Sequence, residues 1–240
     1  MVCLVDKKFH DWTHGLDTRD SMVSIFTHIR DIPYSLIVPL QDPKTSMEQL
    51  LIAGKGSCGP KHYLLAEMYR KLNLSVVFAT IAFSWNDPDL QYPPDIRKQA
   101  VRLPIAHHLS CRVQNGCCWI LVDATWDRPL GKAGFPVNDH WDGYSETRCA
   151  VKPLTSPART TFCHTLKNEP SREKNEADLC PTEGEKDHWD VVDQARYYRE
   201  KVSVRTPDEA ERITRFNHDF DAWLDDVRTR KYHFCPDDSK

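Results

Sequence analysis

The sequence predicts a mixed fold of helices packed on antiparallel strands. Three observations carry this. An amphipathic stretch covers 59–72, a β-branched and aromatic run covers 76–83, and an Asn-Gly bend joins strand-like segments at 107–114 and 117–124. Two further helical patterns close the chain.

The elements follow in order. Met22, Ile25, Phe26 and Ile29 recur at helical spacing, and Pro33 stops that helix. Thr45-Ser46-Met47-Glu48 reads as a capping box and predicts a short helix after Thr45. Gly54-Lys55-Gly56-Ser57 reads as a flexible approach to Cys58; it is not a phosphate loop, because Gly56 follows Lys55 where that motif needs Ser or Thr. From Gly59 to Leu72, Leu64, Leu65, Met68, Tyr69 and Leu72 form one apolar stripe, with Pro60 in the first turn. Val76 to Phe83 reads as a buried strand. Pro88, Pro93 and Pro94 predict a loop over 86–98, and Trp85 with that loop is a candidate lid. The segment 155–188 is too polar to offset its ordering entropy and reads as a linker or mobile excursion. Thr206-Pro207-Asp208-Glu209 opens the last helix, with Ala210, Ile213, Phe216, Phe220, Trp223, Leu224 and Val227 on its core face. The expected division is a core over 1–154, a linker over 155–188 and a helical extension over 189–240.

Composition narrows the function classes. The chain has 240 residues, a formal net charge of −3 and 40% hydrophobic residues, so it reads as globular and able to bury a core. Lysine plus arginine number 32 against 35 acids, interspersed, which predicts no nucleic-acid partner. No run approaches the ~18 apolar residues of a membrane span, so no membrane partner is expected. The nine cysteines are an odd number and the first residues lack a signal-like apolar run, which predicts free thiols and a cytoplasmic location. Cys163, His164, Cys180 and His188 fit no ligand spacing, so neither a metal nor another cofactor is expected.

The bend carries the chemistry. With Asn115 and Gly116 as its loop, Gln114 opposes Cys117, and counting back sets His108 against Asp123. Leu109, Cys111, Val113, Cys118, Ile120 and Val122 then share an apolar face, while His108, Ser110, Arg112 and Asp123 share the other. An opposed pair is close enough for an imidazole–carboxylate hydrogen bond. Cys58 stands where a helix N-terminus favours an anion, and Lys61 is expected to add positive charge. Each residue alone has an ordinary structural use, as a small buried thiol, a core imidazole or a turn cap. Together they suit a nucleophile, a general base and an orienting carboxylate.

These residues also carry a resemblance. Gly56-Ser57-Cys58-Gly59-Pro60-Lys61-His62 with Leu64-Leu65-Ala66 resembles the nucleophile helix of the transglutaminase-like superfamily. His108 to Val113 resembles its histidine strand, and Trp119 to Asp127 its aspartate strand. Arg30-Asp31-Ile32-Pro33-Tyr34 resembles a segment upstream of the cysteine in microbial members. The resemblance spans about residues 20 to 130. It implies a papain-like α+β core, with a nucleophile helix packed on an antiparallel sheet and Cys58, His108 and Asp123 as the triad. It also implies thiol-dependent acyl transfer or hydrolysis on amides, through a thioester, with a peptide, a protein or a small amide as substrate. Animal transglutaminases use a tryptophan upstream of the cysteine to stabilise the oxyanion, and none occurs here between Trp12 and Trp85. The second oxyanion donor is therefore assigned to Gln49 or Tyr34. Trp126 and Trp141 are candidate walls of a substrate groove. The competing reading is a binding module that keeps this fold without using the triad.

Overall fold

The computed structural model describes residues 3–115, 118–154, 185–187 and 191–229. The helices are α1 (Leu4–Thr13), α2 (Thr18–Arg30), α3 (Pro43–Ala53), α4 (Cys58–Lys71), α5 (Pro94–Ala100), α6 (Val191–Ser203) and α7 (Pro207–Thr229). The strands are β1 (Val76–Phe83), β2 (Ala106–Asn115), β3 (Cys118–Val122) and β4 (Glu185–Asp187). They form one sheet in the order β3-β2-β1-β4, with every pairing antiparallel. Helices and a small antiparallel sheet are thus both present, compatible with the α+β class.

Helix α4 packs on β2 and β1, and α3, α2 and α1 gather on its other sides. Leu64, Leu65, Ala66, Met68 and Tyr69 are buried there. Each large side chain of that kind stabilises the fold by roughly 1.5–3 kcal/mol. Across from them lie Leu109, Cys111, Val113, Ile120 and Val122, the apolar face expected of the hairpin, all buried.

The hairpin register differs from the expected one. Asn115 pairs with Cys118, Gln114 with Trp119 and Cys111 with Val122. Gln114 is thus not opposite Cys117, as expected; Gly116 and Cys117 themselves lie outside the described residues. The ladder is displaced by two positions, an even number, so every side chain keeps its face. Asp123 is therefore not opposite His108 but diagonal to it, one step beyond the last pair, Cys111–Val122. A diagonal neighbour on the same face is still within reach of a long side chain.

Several helix starts move. Asp42, not Thr45, caps α3: its side chain accepts from the Thr45 N–H, and Pro43 takes the first helical position. The predicted loop over 86–98 yields to α5, because Pro94 at a helix start costs no hydrogen bond. The Thr206–Glu209 box forms in both directions, at 3.0 and 3.3 Å. The buried face of α7 begins at Phe216; Ala210 is exposed because the first turns of α7 project beyond the core. Trp85 is no lid: its ring packs on Phe83, Phe216 and Phe220 at 5.0–5.3 Å. The expected linker over 155–188 lies almost wholly outside the described residues, apart from β4, and the Cys163, His164, Cys180 and His188 set lies outside them entirely. No helix among the described residues is long and apolar enough to cross a membrane.

Two polar ties set the approach to α4. The Lys61 ammonium donates to the carbonyls of Arg30, Ile32 and Thr125 at 2.6–3.0 Å, so its three protons join the end of α2 to the chain after β3. Lys61 is fully buried and spent on these carbonyls, not turned toward Cys58 as a free charge. Arg228 of α7 forms a two-pronged pair with Asp127, at 2.8 and 2.9 Å, and also donates to the Tyr34 carbonyl. The Tyr34 N–H donates to the same Asp127 carboxylate. The approach itself is pinned rather than flexible. Gly56 bridges Tyr34, and a Cβ on it would fall 2.7 Å from Leu50 Cδ1.

Arg228→Ala leaves the buried Asp127 without its cation. It is expected to lower the unfolding free energy by about 2–4 kcal/mol. The measurement is the urea midpoint, with the slope of the transition unchanged.

Candidate functional site

Cys58 is the first residue of α4, and Ser57 before it makes no side-chain cap. The first-turn amides are thus not spent on a cap, and the helix dipole points its positive end at this position. Three groups surround the sulfur. The Tyr198 hydroxyl of α6 lies 3.4 Å from Sγ. The His108 imidazole and the Leu109 N–H lie beside the sulfur and favour its charged form. Burial opposes the thiolate, yet His108, Leu109 and Tyr198 outweigh it and hold the thiol below its ordinary value.

His108 Nε2 lies 2.8 Å from Asp123 Oδ2, which leaves Nδ1 for the sulfur. Burial alone would push this imidazole down. The Asp123 charge and hydrogen bond, with the sulfur on the other side, hold it well above its ordinary value instead. Asp123 is 1% exposed and accepts from four groups. Oδ1 takes the Thr125 N–H at 3.2 Å and the Thr125 hydroxyl at 2.6 Å. Oδ2 takes the Ala150 N–H at 2.8 Å besides His108. Burial would raise this carboxyl, but the imidazoles of His108 and His62 and the Thr125 hydroxyl keep it far below the usual carboxylate range. The thiol is lowered and the imidazole raised, both in the direction of a thiolate–imidazolium pair braced by a carboxylate.

Sequence reasoning placed His62 in a motif but gave it no role. Its Nδ1 lies 2.9 Å from the Cys58 carbonyl, and its Nε2 receives the Ala124 N–H at 3.1 Å. These partners assign the proton to Nδ1 and leave Nε2 an acceptor. Burial pushes this imidazole down to about 4, so it is neutral. Its ring meets His108 edge-on at 5.8 Å. The signal was available, since His62 stands four residues after Cys58 on one helix face. Tyr198 had no such signal, because it is 140 residues from Cys58 in sequence.

The remaining expected site residues fall differently. Tyr34 is buried beside the site: burial, then the nearby Cys58 charge, push its phenol well up. Its hydroxyl makes no hydrogen bond to Cys58 among the described residues. Gln49 sits half-buried on α3 and makes no hydrogen bond to the Cys58 region among the described residues. Trp126 and Trp141 sit in the core, and the cleft that Trp141 borders is not lined by Cys58. Both are buried, and each gives its indole N–H to a backbone carbonyl, of Ala150 and Ser145 respectively. Trp126 packs on Tyr34 and Phe135, and Trp141 on Phe26, as core aromatics do. No cluster of three or more His, Cys, Asp or Glu able to hold a metal occurs among the described residues.

No family model matches the chain. No curated protein matches it. Among solved structures, the chain is similar to the crystal structure of a putative cysteine protease from Cytophaga hutchinsonii. The identity is 18% and the TM-score 0.36, over 54% of this chain. The chain spans 40% of that structure's length. A likeness at that level carries no argument about function, and the site rests on its own geometry.

The buried His62 gives a pH dependence with a definite sign. The unfolded chain takes up a proton near 6.5 that the folded chain refuses until about 4. Stability therefore falls as pH drops through that window. Urea midpoints in a Cys58→Ala background, which removes the thiol's own titration, are expected to decline from pH 6.5 to 4, and His62→Gln to flatten the decline.

Proposed function

We propose that this protein is a thiol enzyme of transglutaminase-like, papain-like type that acts on amide bonds. The observation that carries the reading is the single line Cys58–His108–Asp123, with His108 Nε2 2.8 Å from Asp123 Oδ2 and its other face on the sulfur. The steps follow from the groups. The Cys58 thiolate attacks the acyl carbon of an amide, and the C–S bond forms. The imidazolium of His108 then protonates the departing amine as the C–N bond breaks, leaving a thioester. Neutral His108 next takes a proton from water or from a second amine. That nucleophile displaces the sulfur, and the thiolate–imidazolium pair is restored. Asp123 holds one imidazole orientation throughout and stabilises the cation. The Cys58 N–H at the start of α4 is a donor for the developing oxyanion.

The substrate class in this reading is a peptide or protein amide, or a small amide. Hydrolysis and transfer use the same three residues, and the acceptor decides between them. A second reading, a binding module with an unused triad, draws on the 5% exposure of Cys58.

Product analysis on glutamine-containing peptides, with and without added amine, tests the proposal. Released ammonia or a new amide is expected, lost in Cys58→Ala and slowed on the order of 10³–10⁴-fold in Asp123→Asn. In addition, His108→Gln is expected to abolish the ultraviolet thiolate band at neutral pH. A band that persists, with no turnover in the wild-type chain, would favour the binding module.

A further inference from the structure

The nucleophile is covered. Cys58 is 5% exposed and His108 2%. The cover is α6, which lies across β1 and β2. Among the described side chains of α6, Tyr198 alone is buried. Its hydroxyl touches the sulfur, and its ring lies against Gly59. A Cβ on Gly59 would come 3.1 Å from Tyr198 Cε1 and 3.0 Å from Leu40 Cδ1. A glycine at this place therefore lets the ring settle directly over the start of α4. Two clefts lie elsewhere. One is between α5 and α7, lined by Tyr92, Ile96 and Trp223; the other is beside Trp141 and Thr147. Neither opens on Cys58.

An acyl carbon must come within bonding distance of Sγ, and Tyr198 stands in that space. The phenol also acts against the nucleophile chemically. Burial and the adjacent sulfur keep it protonated, so it donates to the thiolate and damps it.

We propose that α6 is a latch that holds the site closed, with Tyr198 seated on the Cys58 sulfur, and that the amide substrate enters only when α6 lifts. This rests on the reading of Cys58 as a nucleophile. The two C-terminal helices hold different places. The α7 helix is fastened by Phe216, Phe220, Trp223, Leu224 and Val227 and by the Arg228–Asp127 pair. The described part of α6 offers Tyr198, with Tyr197 and Val202 half-buried. An element can open locally at a free energy below that of global unfolding.

Alkylation of the full chain by iodoacetamide, followed at the Cys58 peptide by mass spectrometry, is the test. Tyr198→Ala is expected to speed labelling of Cys58 at neutral pH by about tenfold or more, as removal of a cover over a local opening does. Tyr198→Phe keeps the ring in place and is expected to stay close to the wild-type rate. Equal rates in the wild type and Tyr198→Ala overturn the latch, and so does a Tyr198→Phe rate matching that of Tyr198→Ala. If Tyr198→Ala does not fold, the wild-type chain in graded urea decides. Cys58 labelling well below the core transition, read by tryptophan fluorescence, supports the latch; coincident transitions overturn it. The two proposals fail separately. An accessible Cys58 in Tyr198→Ala that titrates near ~8.5 overturns the enzyme and keeps the latch. A depressed titration with no rate difference between wild type and variant does the reverse.

Discussion

The buried Asp123 carboxylate is the constraint on which the rest of the site depends. A charge at 1% exposure is tolerable only if donors replace the water it has lost. Four do so, and they come from different parts of the chain: His108 of β2, the N–H and hydroxyl of Thr125, and the Ala150 N–H. Satisfying the carboxylate therefore fixes the segment after β3, the loop that reaches Ala150 and the rotation of the His108 ring. The ring's second nitrogen is left for Cys58. In this sense the alignment of His108 with Cys58 and the solvation of one buried charge are the same set of hydrogen bonds.

The surrounding polar ties make that alignment rigid. Lys61 belongs to the helix that carries Cys58, yet it grips the Thr125 carbonyl, two residues from Asp123. The helix that carries Cys58 and the carboxylate segment are thus fastened by one ammonium. Asp127 then binds Arg228 of α7 and the Tyr34 N–H, which draws the last helix and the chain before α3 to the same place. Ser35 and Leu36 add a second tie through Asp221 of α7. Such buried pairs cost desolvation and add little net stability. What they supply is a single arrangement of segments that apolar packing alone would leave free to slide.

Much of the chain was legible because its signals are local. The stripe of α4, the run of β1 and the box at Thr206 depend on residues a few positions apart. Local reasoning failed where two signals competed. The Asn-Gly pair suggested one bend, but Asn115 pairs with Cys118 instead, two positions away. The site survived that error through parity: an even displacement leaves His108 and Asp123 on one face, whereas an odd one would have separated them. The box at Thr45 lost to Asp42 because Pro43 prefers the first helical position.

By itself, the sequence determined the position of Cys58 at a helix start and the shared face of His108 and Asp123, since periods of 3.6 and 2 are properties of short stretches. Only the tertiary structure decided that Trp126 and Trp141 are core and that His62 is neutral. It alone seated Lys61 on three carbonyls and Tyr198 over the sulfur. Those outcomes depend on burial and on partners far away in the chain, such as the 140 residues between Cys58 and Tyr198, and no local pattern encodes a contact across that distance.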